Sequence, residues 1–128
     1  MLTSYQFPFQ KNMTNANEHF GSGNGSENFY QSKFSPVIYT DGVKDMAESC
    51  SAYWLIDLVV SHQLNKAVKV QPFQVWRLQR KSDSAFIVEA TDGNEKVIAT
   101  QQIPFSDFKY DIATLWLVNG CMMLPCEY

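Results

Sequence analysis

The sequence predicts an α+β domain, an antiparallel sheet of about five strands covered by one long central helix that a short helix precedes. Three observations predict it. Residues 114–124, TLWLVNGCMML, are two apolar runs joined by Asn119-Gly120, a pair that tolerates the positive φ angles of a tight hairpin turn. From Ala52 to Leu64 the chain is apolar around most of a helical circumference, so a helix there is buried on more than one side. Between these segments lie three runs rich in strand formers, separated by turn chemistry.

Residues 1–28 form a polar arm rich in Asn, Ser and Gly, and residues 29–128 form a single globular domain. The segment GSGNGSEN, residues 21–28, reads as a flexible loop. Tyr5, Phe7, Phe9, Phe20, Phe29 and Tyr30 interrupt that polarity, and aromatics are scarce in fully disordered segments, so part of the arm is expected to dock. Pro36 favours extended backbone before it, and Val37, Ile38 and Tyr39 suit a short strand or lead-in. Thr40 or Asp41 is placed to cap a helix in which Val43, Met46, Ala47 and Cys50 recur at helical spacing. The long central helix follows. Strands are then expected over residues 73–80, 84–91 and 95–103, with Ser82-Asp83 and Asp92-Gly93-Asn94 as turns. Pro104 ends ladder pairing, and PFSDF is a tight corner expected to bury Phe105 and Phe108. The Asn-Gly hairpin closes the sheet. No internal repeat is present.

A chain of 128 residues with 45% hydrophobic and 14% aromatic residues has ample material for one core. The net charge of -3 and the single short basic cluster, Arg77, Arg80 and Lys81, give no electrostatic case for wrapping duplex nucleic acid. That cluster reads as a solvated strand end. The N-terminus lacks the basic start and apolar stretch of a signal peptide, and no apolar run reaches the roughly 20 residues that span a bilayer. Cys50, Cys121 and Cys126 are odd in number and irregular in spacing, unlike a secreted disulfide framework. They read as reduced, structural thiols in a cytoplasmic protein. His19 and His62 lie far from them in sequence, so neither a zinc site nor any other metal or cofactor is expected.

Chemistry-bearing motifs are missing. GSGNG follows no strand and fails as a phosphate loop, and there is no GxSxG, HExxH or CxxC. Asp57, inside WLIDLVV, is the most notable titratable residue; the favoured reading is a buried acceptor for Tyr, Trp or backbone donors. Asp57 and His62 are five residues apart and share no helical face, which argues against a dyad. Asp41, Asp107, Asp111 and Glu127 read as caps, turn formers or terminal polar residues. Cys126 acts as a nucleophile only with a base such as His62 beside it.

Several blocks recur in order: YTDGVKDMAESCSAYWLIDLVV at residues 39–60, FQVWRL at 73–78, DGN at 92–94, IPFSDF at 103–108 and LPCEY at 124–128. In them the chain resembles a family of small uncharacterised bacterial proteins, a domain of unknown function found on plasmids, in phages and in mobile islands. The resemblance runs from Phe20 onward. Met46 stands where the family pattern has Leu, Lys109 where it has Pro and Cys126 where it has Ser. The family carries no established active site, so the resemblance implies a mobile-element setting and transfers no catalytic residue.

The expected function is therefore that of a non-enzymatic binding protein from a mobile element, an inhibitor of a host defence system of the anti-CRISPR kind. It would occupy the surface of a host protein or complex through aromatic anchors with a polar rim. The candidate anchors are Tyr5, Phe7, Phe9, Phe29 and Tyr30, with Glu127 and Tyr128 at the other end. Two readings compete: a small enzyme that uses Asp57 or Cys126 in a pocket holding at least two of Asp57, His62, Cys126 and Glu127, and an accessory protein that binds single-stranded nucleic acid through Trp76, Arg77 and exposed aromatics. A homodimer is a further expectation, because Trp54 and its apolar neighbours exceed what one sheet covers.

Overall fold

The computed structural model describes residues 13–20, 28–33 and 35–128. Its elements, in chain order, are α1 (Ala16–His19), β1 (Phe29–Gln31), β2 (Ile38–Thr40), α2 (Asp41–Ser49), α3 (Tyr53–His62), α4 (Lys66–Lys69), β3 (Phe73–Ser82), β4 (Ala85–Thr91), β5 (Val97–Ile103), β6 (Ile112–Val118) and β7 (Cys121–Met123), followed by a 3₁₀ turn at Pro125–Glu127.

The strands form one seven-stranded sheet in the order β1-β2-β7-β6-β3-β4-β5. This corrects the expected architecture twice. The sheet is mixed, because β2 pairs in parallel with β7 (Ile38 beside Cys121, Tyr39 beside Met122). Nor does a single long helix cover it. Four short helices are described, and the longest, α3, has ten residues. The physical reason lies at Cys50 to Ala52. Ser51 takes a left-handed conformation (φ 52°), and the Ala52 amide donates back to the Ala47 carbonyl (2.7 Å), so α2 ends before α3 starts at a new angle. At its far end α3 stops at His62, and the Asn65 side chain caps α4 by accepting from the Ala67 amide (2.9 Å).

Strands β3 to β6 are antiparallel neighbours with long registers, among them Arg77 opposite Glu89 and Trp76 opposite Leu115. Asn119 and Gly120 both carry positive φ (50° and 85°) and turn β6 into β7. On one face of the sheet, Trp76, Leu78, Val88, Ala90, Leu115 and Leu117 are buried under α2 and α3. Helix α3 contributes Leu55, Ile56, Leu58 and Val59 to that core, while Trp54 packs at its margin. Asp57 is exposed, on the solvent stripe it shares with Tyr53 and Ser61. It is not the buried acceptor its sequence neighbours suggested, because the helix buries one side and not its whole circumference. Phe108 is buried at the corner as expected; Phe105 is 74% exposed.

The segment before β1 also belongs to the sheet. Strand β7 is too short to cover all of β6, and residues 14–17 take the vacated place. The Thr14 carbonyl accepts from the amides of Asp111 (2.9 Å) and Ile112 (3.0 Å). The Asn17 side-chain amide then behaves like a strand backbone, donating to the Thr114 carbonyl (2.9 Å) and accepting from its amide (2.7 Å). Ala16 is fully buried beneath this strap.

Candidate functional site

Side chains alternate along β3, so Trp76 and Leu78 enter the core while Phe73, Val75 and Arg77 face the other way. No helix covers that second face among the described residues. The pairing of Val75 with Trp116 and Thr91, and of Arg77 with Thr114 and Glu89, extends it over three adjacent strands. The result is a concavity of about 760 Å³. The strap supplies one wall with Asn15 and Asn17, the turn before β5 supplies another with Gly93 and Glu95, and Pro125 and Cys126 close a third.

Two chemistries meet there. At one end Phe73, Trp116 and Tyr128 form a mutual edge-to-face cluster, with ring centroids 5.0 Å (Phe73–Trp116), 5.5 Å (Trp116–Tyr128) and 6.4 Å (Phe73–Tyr128) apart. Tyr128 is 77% exposed, so the cluster is open to a partner. Gly93 closes over Phe73; a Cβ there would lie 2.7 Å from its ring. Glu89 and Glu95 bring two carboxylates to the rim, Glu95 from the turn that carries Gly93 and Glu89 from β4. Arg77 lies directly across the strands from Glu89, with no ion pair to any described residue.

Glu127 does different work. Its carboxylate accepts from the Thr40 hydroxyl (2.6 Å), the Gly42 amide (3.2 Å) and the Leu124 amide (2.9 Å). It thus sits at the N-terminus of α2, where free amides and the helix dipole favour an anion. Thr40 is the N-cap of that helix, accepting from the Val43 amide (3.4 Å). The carboxylate lies so near Gly42 that a Cβ there would meet it at 2.7–2.8 Å. The YTDG and LPCEY segments are therefore two halves of one clasp.

The remaining candidates fall as follows. Tyr5, Phe7 and Phe9 lie outside the described residues. Phe29 is exposed on β1. Tyr30 donates to Asp41 (2.8 Å), its ring lies 5.7 Å from that of Tyr39, and Lys44 stands 5.3 Å above it. The Asp41 carboxylate that accepts from it pushes the Tyr30 hydroxyl above its ordinary value. The structure thus brings Tyr128 into the aromatic cluster, puts Glu127 in the clasp, and sets Tyr30 beside the start of α2. Phe73, Arg77 and Trp116 are the site residues that sequence reasoning missed as a group. The signal for them was that residues 112–118 are apolar on both strand faces, while only one helical layer was in sight.

The residues of the expected enzyme pocket do not converge. His62 hydrogen-bonds Gln101 (2.7 Å) and lies 5.3 Å from the Trp76 ring on the helix side, Cys126 lines the opposite face, Glu127 is held in the clasp, and Asp57 is exposed on α3. Trp76 is 2% exposed and offers no ring for a base to stack on. Arg80 is not a free strand-end cation. It pairs with Asp111 (2.7 Å) and donates to the carbonyls of Asp83, Phe108 (2.9 Å) and Tyr110 (3.4 Å). Burial alone would raise the Asp111 carboxyl, but the Thr14 amide, Arg80 and the Thr14 hydroxyl together hold it below the usual carboxylate range. Burial pushes the Cys50 thiol up, and burial together with Glu127 does the same to Cys121. Among the described residues no group of three His, Cys, Asp or Glu side chains comes together to hold a metal ion, and no helix is long and apolar enough to cross a membrane.

No curated protein and no solved structure matches the chain. Residues 14–128, from the strap through the clasp and the aromatic cluster, match the model of a family of unknown function, DUF6876, and the chain belongs to that family.

Proposed function

We propose that the protein is a non-enzymatic binding protein and that the open face of its sheet is the surface that binds. One observation carries this reading: Trp116, packed against Phe73 and Tyr128, lines with Arg77 a concavity on a sheet face that no helix covers among the described residues, and Arg77 has no ion pair there. Trp, Tyr and Arg are the residues that dominate interface energetics, and a concave setting rimmed by polar groups excludes water around them. The partner is a protein surface with an apolar side chain for the aromatic end and basic groups for the rim of Glu89 and Glu95. The net charge of -3 favours the same sign of partner.

A basic, groove-bearing protein that handles nucleic acid has that character. The resemblance to mobile-element proteins supports the narrower reading: an anti-CRISPR-like inhibitor, acting in the cytoplasm, that occupies the groove of a host defence protein. The three free thiols suit a reducing compartment.

The test is affinity purification of the full chain from host cells that carry defence systems, with mass spectrometry and plaque counts. The expected result is a basic partner that Trp116→Ala or Tyr128→Ala releases and added salt weakens. No stable partner together with unchanged plaque counts would overturn the proposal.

A further inference from the structure

Strand β5 is one edge of the sheet, and among the described residues nothing pairs with its outer side. Natural edge strands are usually blunted by charge, proline or brevity. In this one, VIATQQI, seven residues long, there is no charged residue and no proline, and its one irregularity is a bulge near its start, between Val97 and Ala99.

Its outward groups follow from the register. The Arg80 amide donates to the Asp111 carbonyl, so the even-numbered residues of β3 bond to β6 and the odd-numbered ones to β4. Residues 87, 89 and 91 of β4 are thereby used by β3, leaving Phe86, Val88 and Ala90 to bond Ile103, Gln101 and Ala99. Thr100 and Gln102 consequently aim their N–H and C=O groups away from the sheet. Exposed apolar side chains stand at both ends of the strand, Val97 at its start and Phe105 just past its end. Leu64 (88% exposed) and Val70 bracket α4 where that helix packs on β5.

We propose that β5 is the seam of a two-fold homodimer in which two copies pair antiparallel and join their sheets edge to edge. With Gln101 on the axis, Thr100 lies opposite Gln102 of the partner subunit, and the outward groups of each satisfy the other. The exposed apolar Val97 and Phe105 flank this ladder at its two ends and add apolar area to the seam. A second copy is the occupant that fits, because a strand without charge has nothing with which to select a foreign one. An isologous seam also closes on itself and leaves no further β5 edge to propagate. Leu64 and Val70 add apolar area on the helix side, which an edge-to-edge ladder alone does not supply.

The proposal is independent of the open face and is tested by mass, not by partner capture. Light scattering and sedimentation of the full chain are expected to give two copies per particle. Thr100→Pro removes an N–H that only the seam uses, and Phe105→Lys replaces an exposed contact; each is expected to weaken dimerisation by about tenfold or more, with far-UV circular dichroism unchanged. Phe105→Lys serves where the proline disturbs the strand. A single copy at all concentrations, or a dimer indifferent to Phe105→Lys, overturns the proposal.

Discussion

The two faces of the sheet are built from the same strands and have opposite characters. On the helix side the buried polar group at the centre is answered. Gln74 is 1% exposed, yet its Nε2 donates to Gln63 (2.9 Å), the Val68 carbonyl (3.0 Å) and the Gln71 carbonyl (3.1 Å), while its Oε1 accepts from Gln63 (3.0 Å) and the Trp76 indole (2.9 Å). On the open side a tryptophan, a tyrosine and an arginine of similar size stand without a second layer. Alternation delivers apolar weight to both faces of β3 and β6, and among the described residues α2 and α3 cover only one of them. The other is free to serve recognition, which a core cannot do.

The sharpest way to break the comparison is to truncate one tryptophan from each face. Trp76→Ala opens a cavity and orphans the Gln74–Gln63 pair, and is expected to cost about 3–5 kcal/mol by denaturant unfolding. Glu127→Ala, which strips three donors of their acceptor at the clasp, is expected to cost about 2–3 kcal/mol, measured the same way. Trp116→Ala on the open face is expected to cost about 1–2 kcal/mol while abolishing partner capture. A loss of stability as large as that of Trp76→Ala would mean the open face is structural.

Acid gives a smaller effect with a definite sign. The Asp111 pKa is lowered in the folded protein, so its contribution is present above the unfolded value of about 3.9 and is lost as pH falls through the folded value. Amides held by the strap, those of Asp111 and Ile112, are expected to lose exchange protection over that range, and Asp111→Asn to remove the dependence. The smallest effect belongs to Asp57→Ala, within about 0.5 kcal/mol, because that carboxylate faces solvent.

Much of the C-terminal half was legible because its signals are local. Asn119-Gly120 names its own turn, and β3 and β4 are long enough to show strand composition. Strands β1, β2 and β7 have three residues each, too few for an alternation to register, so the parallel joint between β2 and β7 left no trace in composition. Residues 52–64 looked like one buried rod because hydrophobicity alone does not show which side of a helix has a neighbour. Of the candidate site, Tyr128 was named from the sequence. Its partners Phe73 and Trp116 were not, because which face of a strand stays uncovered is a property of the tertiary fold. Glu127 was picked for binding, and the structure gives it a clasp, a role that depends on Thr40 and Gly42 more than 80 positions earlier.

That clasp, with the β2–β7 joint beside it, sets an order on folding. Strands β3, β4 and β5 pair as neighbours in sequence, each pairing closing a short loop, and β6 then returns to lie beside β3. Helix α2 and strand β2 are made early in synthesis but lack their parallel partner β7 and the Glu127 carboxylate until residues 121–127 leave the ribosome. A nascent chain halted before that point should hold the β3–β4–β5 hairpins while β2 stays open to proteolysis, and pulsed hydrogen exchange should find the amides of β2 among the last to close.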